Sequence, residues 1–285
     1  MTRVLVTGAT GFVGRHARGP LAARGYEVHG VGSRDADLLD PEAVTRLVRD
    51  VRPTHLLHLA WYAEPGAFWE SPENARWLDA STRLLEAFAA SGGTRAVVAG
   101  TCAEYDWSGD GALSEASTPL APRTAYGEAK NALRVAAERL PVSLGWGRVF
   151  FLYGPHEDPR RLVASVARSL VAGEPARTTH GRQVRDFLHV ADVADAFGAL
   201  LDSGVEGAVN IGSGEGVALV DVVERLAALA GRPDLVELGV LEASQGEPPR
   251  LVADVARLRD EVGWRPARAL DDGLRETVEW WRANA

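Results

Sequence analysis

The chain has 285 residues, 46% hydrophobic and 25% charged, which fits one large globular domain or two smaller ones and excludes a disordered or fibrous chain. Acidic residues outnumber basic ones, 39 to 31, and the formal net charge of -8 argues against a nucleic-acid partner with a large footprint. One cysteine, Cys102, leaves no internal disulfide; the apolar start Val4–Val6 is too short for a signal peptide and no apolar run approaches a membrane span, so a cytoplasmic protein with no membrane partner is expected.

Short apolar runs alternate with longer helical stretches through the first half. Strands are predicted at Val4–Thr7, Glu27–Val31, His55–Leu59, Ala96–Gly100 and Ser143–Phe150, with helices near 13–25, 41–51, 73–91 and 125–139. That alternation implies an α/β fold, a doubly wound Rossmann parallel sheet covered on both faces, which takes its ligand at the carboxyl ends of the strands. The second half is less regular: a helix near 159–172, a strand at 184–189, a helix at 190–202, a strand Ala208–Ile211, then helices at 219–230, 254–262 and 270–282. Residues 1–152 with about 184–212 are expected to form the dinucleotide-binding domain. About 153–183 and 213–285 are expected to form a smaller C-terminal α/β substrate-binding region, with the substrate in the cleft between the two.

Between the first strand and first helix runs Gly8-Ala-Thr10-Gly11-Phe12-Val13-Gly14. Glycine at 8 permits a tight turn, at 11 close approach to a pyrophosphate, and at 14 close helix packing, while the helix N-terminus meets the anion. The segment is assigned to a dinucleotide. Its identity is read at the end of the second strand, Val31-Gly32-Ser33-Arg34-Asp35, where an acid would hold a ribose 2′-hydroxyl and an arginine a 2′-phosphate. Gly32 has no carboxylate, and Ser33 with Arg34 offers a donor and a cation, which points to NADP(H). The other reading has Arg34 in solvent and Asp35 on the ribose of NAD. Asp37 and Leu38 are placed beside the adenine.

Lys130 is the only lysine, beside thirty arginines. Arginine serves wherever this chain needs plain positive charge, so the lone ammonium is a candidate for a task that guanidinium cannot perform. Tyr126 lies four residues earlier on the same predicted helix, hence on the same face. A neighbouring ammonium stabilises a phenolate and lowers its pKa from near 10 toward a useful range. Thr101, at the end of the fourth strand, supplies a hydroxyl to polarise a carbonyl. Trp61, Trp69 and Trp107 fall in loops after strands, where they line the site or serve ordinary packing.

Gly8, Gly11 and Gly14 with Thr101, Tyr126 and Lys130 resemble the short-chain dehydrogenase/reductase superfamily, and above all its extended branch, the NAD-dependent epimerase/dehydratase family of nucleotide-sugar enzymes. His58-Leu59-Ala60 is similar to the family's segment beside the cofactor, placing Leu59 and Ala60 there. Arg148–Pro155, Arg185–Asp192, Asn210–Gly214 and Gly263–Pro266 resemble its later motifs. The resemblance implies Thr101, Tyr126 and Lys130 as catalytic residues, Arg185 and Arg250 as contacts to a substrate diphosphate, no metal, and a homodimer paired through helices 73–91 and 125–139. Bidentate guanidinium pairing is the physical reason for the arginines.

The departures bear on subclass. Family dehydratases have Asp-Glu after the threonine, and here Cys102-Ala103 follow, so 4,6-dehydration is not expected. Cys102 and Phe151, the latter where the family often has asparagine, are placed on the substrate side, with Cys102 as a small buried hydrophobe the other reading. The resemblance then points to an NADPH-dependent 4-ketoreductase of a nucleotide-diphosphate 4-keto-6-deoxyhexose. An NAD-retaining C4 epimerase and a non-catalytic nucleotide-sensing protein remain as other readings.

Overall fold

The structure, a computed structural model, describes residues 2–243 and 246–284. The chain order is β1 (Arg3–Thr7), α1 (Gly14–Ala23), β2 (Glu27–Val31), α2 (Pro41–Val51), β3 (His55–His58), α3 (Glu73–Ala90), β4 (Arg95–Thr101), α4 (Ala125–Ala137) and β5 (Ser143–Val149). Then come β6 (Phe151–Tyr153), α5 (Leu162–Ala172), β7 (Ala176–Arg177), β8 (Val184–His189), α6 (Val190–Ser203) and β9 (Gly207–Ile211). The chain closes with β10 (Gly216–Ala218), α7 (Leu219–Ala230), β11 (Val236–Glu237), β12 (Arg250–Leu251), α8 (Ala256–Asp260) and α9 (Leu270–Asn284).

Six parallel strands pair in the order β2-β1-β3-β4-β5-β9. The apolar strand residues alternate between two cores. One face meets α1 and α6 through Val4, Val6, Leu57, Val97, Ala17, Leu21, Val193 and Phe197. The other meets α2, α3 and α4 through Leu5, Leu56, Ala96, Val98, Val44, Leu84, Phe88 and Leu133. The chain winds outward from β1 to β2 and returns past β1 to β3. The crevice at this reversal, outside the carboxyl ends of β1 and β3, is where a doubly wound sheet binds its ligand.

Beyond β5 the backbone leaves the large sheet. β6 pairs with β8, which also pairs antiparallel to β10 and parallel to β12. Helices α5, α7 and α9 bury this second sheet through Tyr153, Val163, Val166, Leu226, Leu274 and Val278. Within 184–212, β9 joins the large sheet and α6 packs on α1, whereas the partners of β8 are all in the small sheet. Asp186 explains the turn. Its buried carboxylate accepts Ser213 N (2.7 Å), Ser213 Oγ (2.6 Å), Gly214 N (2.9 Å) and Ala253 N (3.1 Å), tying β8 to both later segments. Among the described residues, no helix is long and apolar enough to cross a membrane.

Candidate active site

A cavity of about 560 Å³ opens at the strand-order reversal. Its wall includes Gly8, Gly11, Phe12, Val13, Gly14, Leu59, Ala60, Tyr126 and Lys130, so separate regions of the chain meet there. Gly8 has φ of +69°, and a Cβ on Gly14 would lie 2.1 Å from the Gly8 carbonyl oxygen. Only glycine permits that turn and the close packing that aims the α1 N-terminus at the cavity. These are the features a dinucleotide pyrophosphate needs.

Thr10, Ser33, Arg34, Asp37 and Leu38 do not lie on this wall. Ser33 and Arg34 are exposed at the carboxyl end of β2. A Cβ on Gly32 would come within 2.5 Å of Thr10 Oγ1, so Thr10 closes the place where an acidic side chain would start. The Asp35 carboxylate turns back to accept Gly32 N at 2.8 Å. Asp37 likewise accepts Leu39 N at 2.9 Å, and Leu38 packs into the core below β1.

Thr101 ends β4 and starts a single tight turn, Cys102–Glu104. Its hydroxyl accepts Ala103 N at 3.2 Å, and Glu104 reaches back to accept Thr101 N at 2.8 Å. This reciprocal capping fixes the threonine backbone. Glu104 is fully buried and also accepts Trp146 Nε1 at 2.9 Å and Arg148 Nε at 2.8 Å, so a buried ion pair clamps the end of β4 to β5. Arg148 Nη1 donates onward to the Tyr105 hydroxyl (3.0 Å), which donates to Asn210 Oδ1 on β9 (2.8 Å). Glu104 was not singled out from sequence, although the Thr-x-x-Glu spacing is the signal that would have found it.

Thr124 caps α4 by accepting Gly127 N at 3.1 Å, and Tyr126 N donates to Trp69 O at 3.0 Å. Tyr126 and Lys130 then share one face. Burial pushes the Tyr126 phenol well above its ordinary range, and a hydrogen bond with the Thr101 side chain pulls the other way. Lys130 is 3% exposed; its ammonium donates to Ala99 O at 2.8 Å and sits 3.9 Å above the Trp61 ring, but 5.9 Å from the Tyr126 ring. The expected lowering of the phenol by Lys130 is therefore not what this geometry shows: a buried ammonium takes the nearest carbonyl and ring face. Burial draws Lys130 itself down to about 7, with Glu104 acting against it.

Beneath the trio, His58 bridges Thr7 Oγ1 (2.7 Å) and Ser81 Oγ (2.9 Å). Burial, then repulsion from Lys130, pushes it down to about 3, so it is a neutral tie between β1, β3 and α3. At the cavity mouth Glu64, Asp158 and Arg161 join the wall, and Arg160 pairs with Glu64 at 2.6 Å across the two loops that frame it.

The residues expected on the substrate side are not brought together on this wall. Cys102 packs among Tyr105, Leu113, Phe150, Leu251 and Ala253, and burial pushes its thiol up to about 12. It sits in the core as a small hydrophobe, the second of the two readings its position allowed. Phe151 borders the same cluster. Arg185 is 2% exposed and already engaged: it donates to Glu247 Oε1 at 2.7 Å and Val184 O at 2.9 Å, with its guanidinium carbon 5.3 Å from the Phe151 ring centre. Arg250 opens β12 beside Gly216 and is half-exposed. Among the described residues, no group of three or more His, Cys, Asp or Glu is arranged to hold a metal.

The sheet order and the glycine turn at its reversal define a Rossmann-fold protein. Within that class the chain belongs to the NAD dependent epimerase/dehydratase family, whose sequence profile matches residues 4–212. Its members are NAD(P)-dependent enzymes that modify nucleotide sugars. The chain is 30% identical over 308 residues to the GDP-6-deoxy-D-mannose reductase of Pseudomonas aeruginosa, covering 99% of this chain and 97% of that one. It is 27% identical over 336 residues to the dTDP-glucose 4,6-dehydratase of Xanthomonas campestris pv. campestris, covering 100% and 94%. The crystal structure of the Thermus thermophilus UDP-glucose 4-epimerase in complex with NAD superposes with a TM-score of 0.90 at 31% identity, covering 100% of both chains.

Proposed function

We propose that this protein is an NADPH-dependent reductase of a keto group on a nucleotide-diphosphate sugar, with C4 of a 4-keto-6-deoxyhexose as the preferred site. The observation that carries the reading is the pair of residues after Thr101. An elimination of water needs an acid and a base there, and Cys102 and Ala103 are buried and supply neither. What remains is an apparatus for moving one proton beside one hydride.

The nicotinamide, when bound, supplies the hydride. Thr101 holds and polarises the carbonyl oxygen, and Tyr126 delivers the proton to it. A phenol kept neutral by burial holds the proton that the reduction consumes. Lys130, over the Trp61 ring, supplies positive charge on the same cavity wall. Gly8–Gly14 receive the pyrophosphate of the dinucleotide.

The rim at Ser33 and Arg34 supports NADPH. Thr10 closes the position of a ribose-binding acid, Asp35 is turned to its own backbone, and Arg34 faces solvent where a 2′-phosphate would lie. A homodimer paired through α3 and α4 is part of the same reading. The second reading is an NAD-retaining UDP-sugar 4-epimerase, favoured by the close superposition on the Thermus enzyme with NAD.

The test is NADPH oxidation followed by its nicotinamide absorbance with a panel of nucleotide 4-keto-6-deoxy sugars, with NADH in parallel. Turnover with NADPH and stoichiometric alcohol product is expected. Tightly retained NAD with no net oxidation of added NADPH would establish the epimerase reading instead, and turnover confined to non-nucleotide ketones would overturn the substrate class.

A further inference from the structure

Lys130 owes its place to a residue that the reductase apparatus leaves unassigned. Trp61 follows β3 on the cavity wall, and its ring face lies 3.9 Å under the Lys130 ammonium. The indole is fixed from behind: Nε1 donates to Asn74 Oδ1 at 3.0 Å, and the buried Asn74 amide donates to Phe68 O at 2.7 Å and Ser71 O at 3.0 Å. Trp77 stands beside it with ring centres 6.3 Å apart. These contacts hold the ring in place, with the Lys130 ammonium over its face.

We infer that Trp61 is a positioning residue for Lys130, whose indole face holds the ammonium in its charged form and between the Ala99 carbonyl and the cavity. An ammonium over an indole is attracted by the ring quadrupole, the more so when it is buried, and Lys130 is 3% exposed. The other charged or titratable groups around Lys130 are few. His58 on β3 is neutral, Glu104 after β4 attracts the ammonium from a position where Arg148 balances it, and Tyr126 lies one helical turn away. Burial, with Glu104 acting against it, brings the lysine down to about 7, so a ring that favours the charged form adds to the share that carries charge at neutral pH. This inference extends the proposed reductase reading, in which Lys130 must be cationic.

Because Lys130 is the only lysine, protein grown on lysine labelled with carbon-13 at Cε gives a single lysine resonance, whose pH titration reports this ammonium without any substrate. Trp61→Leu removes the ring and keeps the surface apolar. Its midpoint is expected about one pH unit below that of the unaltered protein, and Trp61→Phe, a weaker ring for cations, is expected between the two. The alkaline limb of kcat for NADPH oxidation should move by the same amounts. An unchanged or raised midpoint in Trp61→Leu overturns the inference. If Trp61→Leu does not fold, Trp61→Phe decides on the same criterion. The resonance titrates whether or not any sugar is turned over, so failure of the reductase reading leaves this result independent.

Discussion

The two sheets use their polar groups in opposite ways. At the carboxyl ends of the six-stranded sheet, Tyr126, Lys130 and the Gly8–Gly14 backbone converge on one cavity, and their chemistry faces that space. In the four-stranded sheet the charged groups are turned on the chain itself: Asp186 is taken by four backbone and hydroxyl donors, and Arg185 by Glu247. The first arrangement is ready for a ligand as it stands. The second can receive an anion at Arg185 only by exchanging its carboxylate for the newcomer.

Four measurements test that contrast. The largest effect is expected at the large sheet, where Tyr126→Phe should lower kcat for NADPH oxidation by about 10²- to 10⁴-fold while NADPH still binds, because a positioned proton donor contributes that much. Stopped-flow turnover with fluorescence titration of the cofactor separates the two quantities, and near-normal turnover would remove Tyr126 from the mechanism. At the rim, Arg34→Ala should reduce the NADPH to NADH preference in kcat/KM by about tenfold, the worth of one charge-assisted hydrogen bond. A preference that does not move would hand the ribose to other residues.

In the small sheet, Glu247→Gln should lower the KM for a nucleotide-diphosphate sugar by about threefold, since it frees Arg185 from its competing carboxylate. A raised KM would mean that Glu247 itself touches the substrate. The smallest effect concerns stability. Glu157, on the loop after β6, is buried with Oε2 accepting Ala164 N at 3.2 Å, and burial pushes its carboxyl up to about 8. A folded-state value above the unfolded one means the native state prefers the protonated acid, so stability is lost as pH rises from about 4.5 through about 8. Glu157→Gln escapes that loss. Its Tm relative to the unaltered protein should therefore rise between about pH 5 and about pH 8, and a constant difference would show that this carboxyl is ionised in the folded state.

Legibility in the sequence follows the same division. Glu27–Val31, 41–51, Val184–His189 and 219–230 coincide with β2, α2, β8 and α7 because local periodicity and turn chemistry decide them. The strands β6, β7, β10, β11 and β12 escape prediction, being two or three residues long and defined by partners remote in sequence. The site divides likewise. Gly8–Gly14 and the Tyr126/Lys130 spacing are short-range patterns and are readable. That Cys102 and Leu38 turn into the core, and that Arg185 meets Glu247 and Lys130 meets Trp61, depends on side-chain directions and contacts spanning tens of residues, which no local pattern encodes. Glu104 is the exception, a missed residue with a readable spacing.

The path of the chain between the sheets constrains how the molecule can be assembled. After β8 has joined the small sheet, the chain returns through α6 and completes the large sheet only at β9. Val193, Ala196, Phe197 and Leu200, which close one face of the large sheet, are therefore synthesised after the first strands of the small one. On a ribosome that face stays open until α6 has emerged, and the large sheet lacks its last strand until β9, which ends at Ile211, has followed, so no single cut in the chain separates the two sheets.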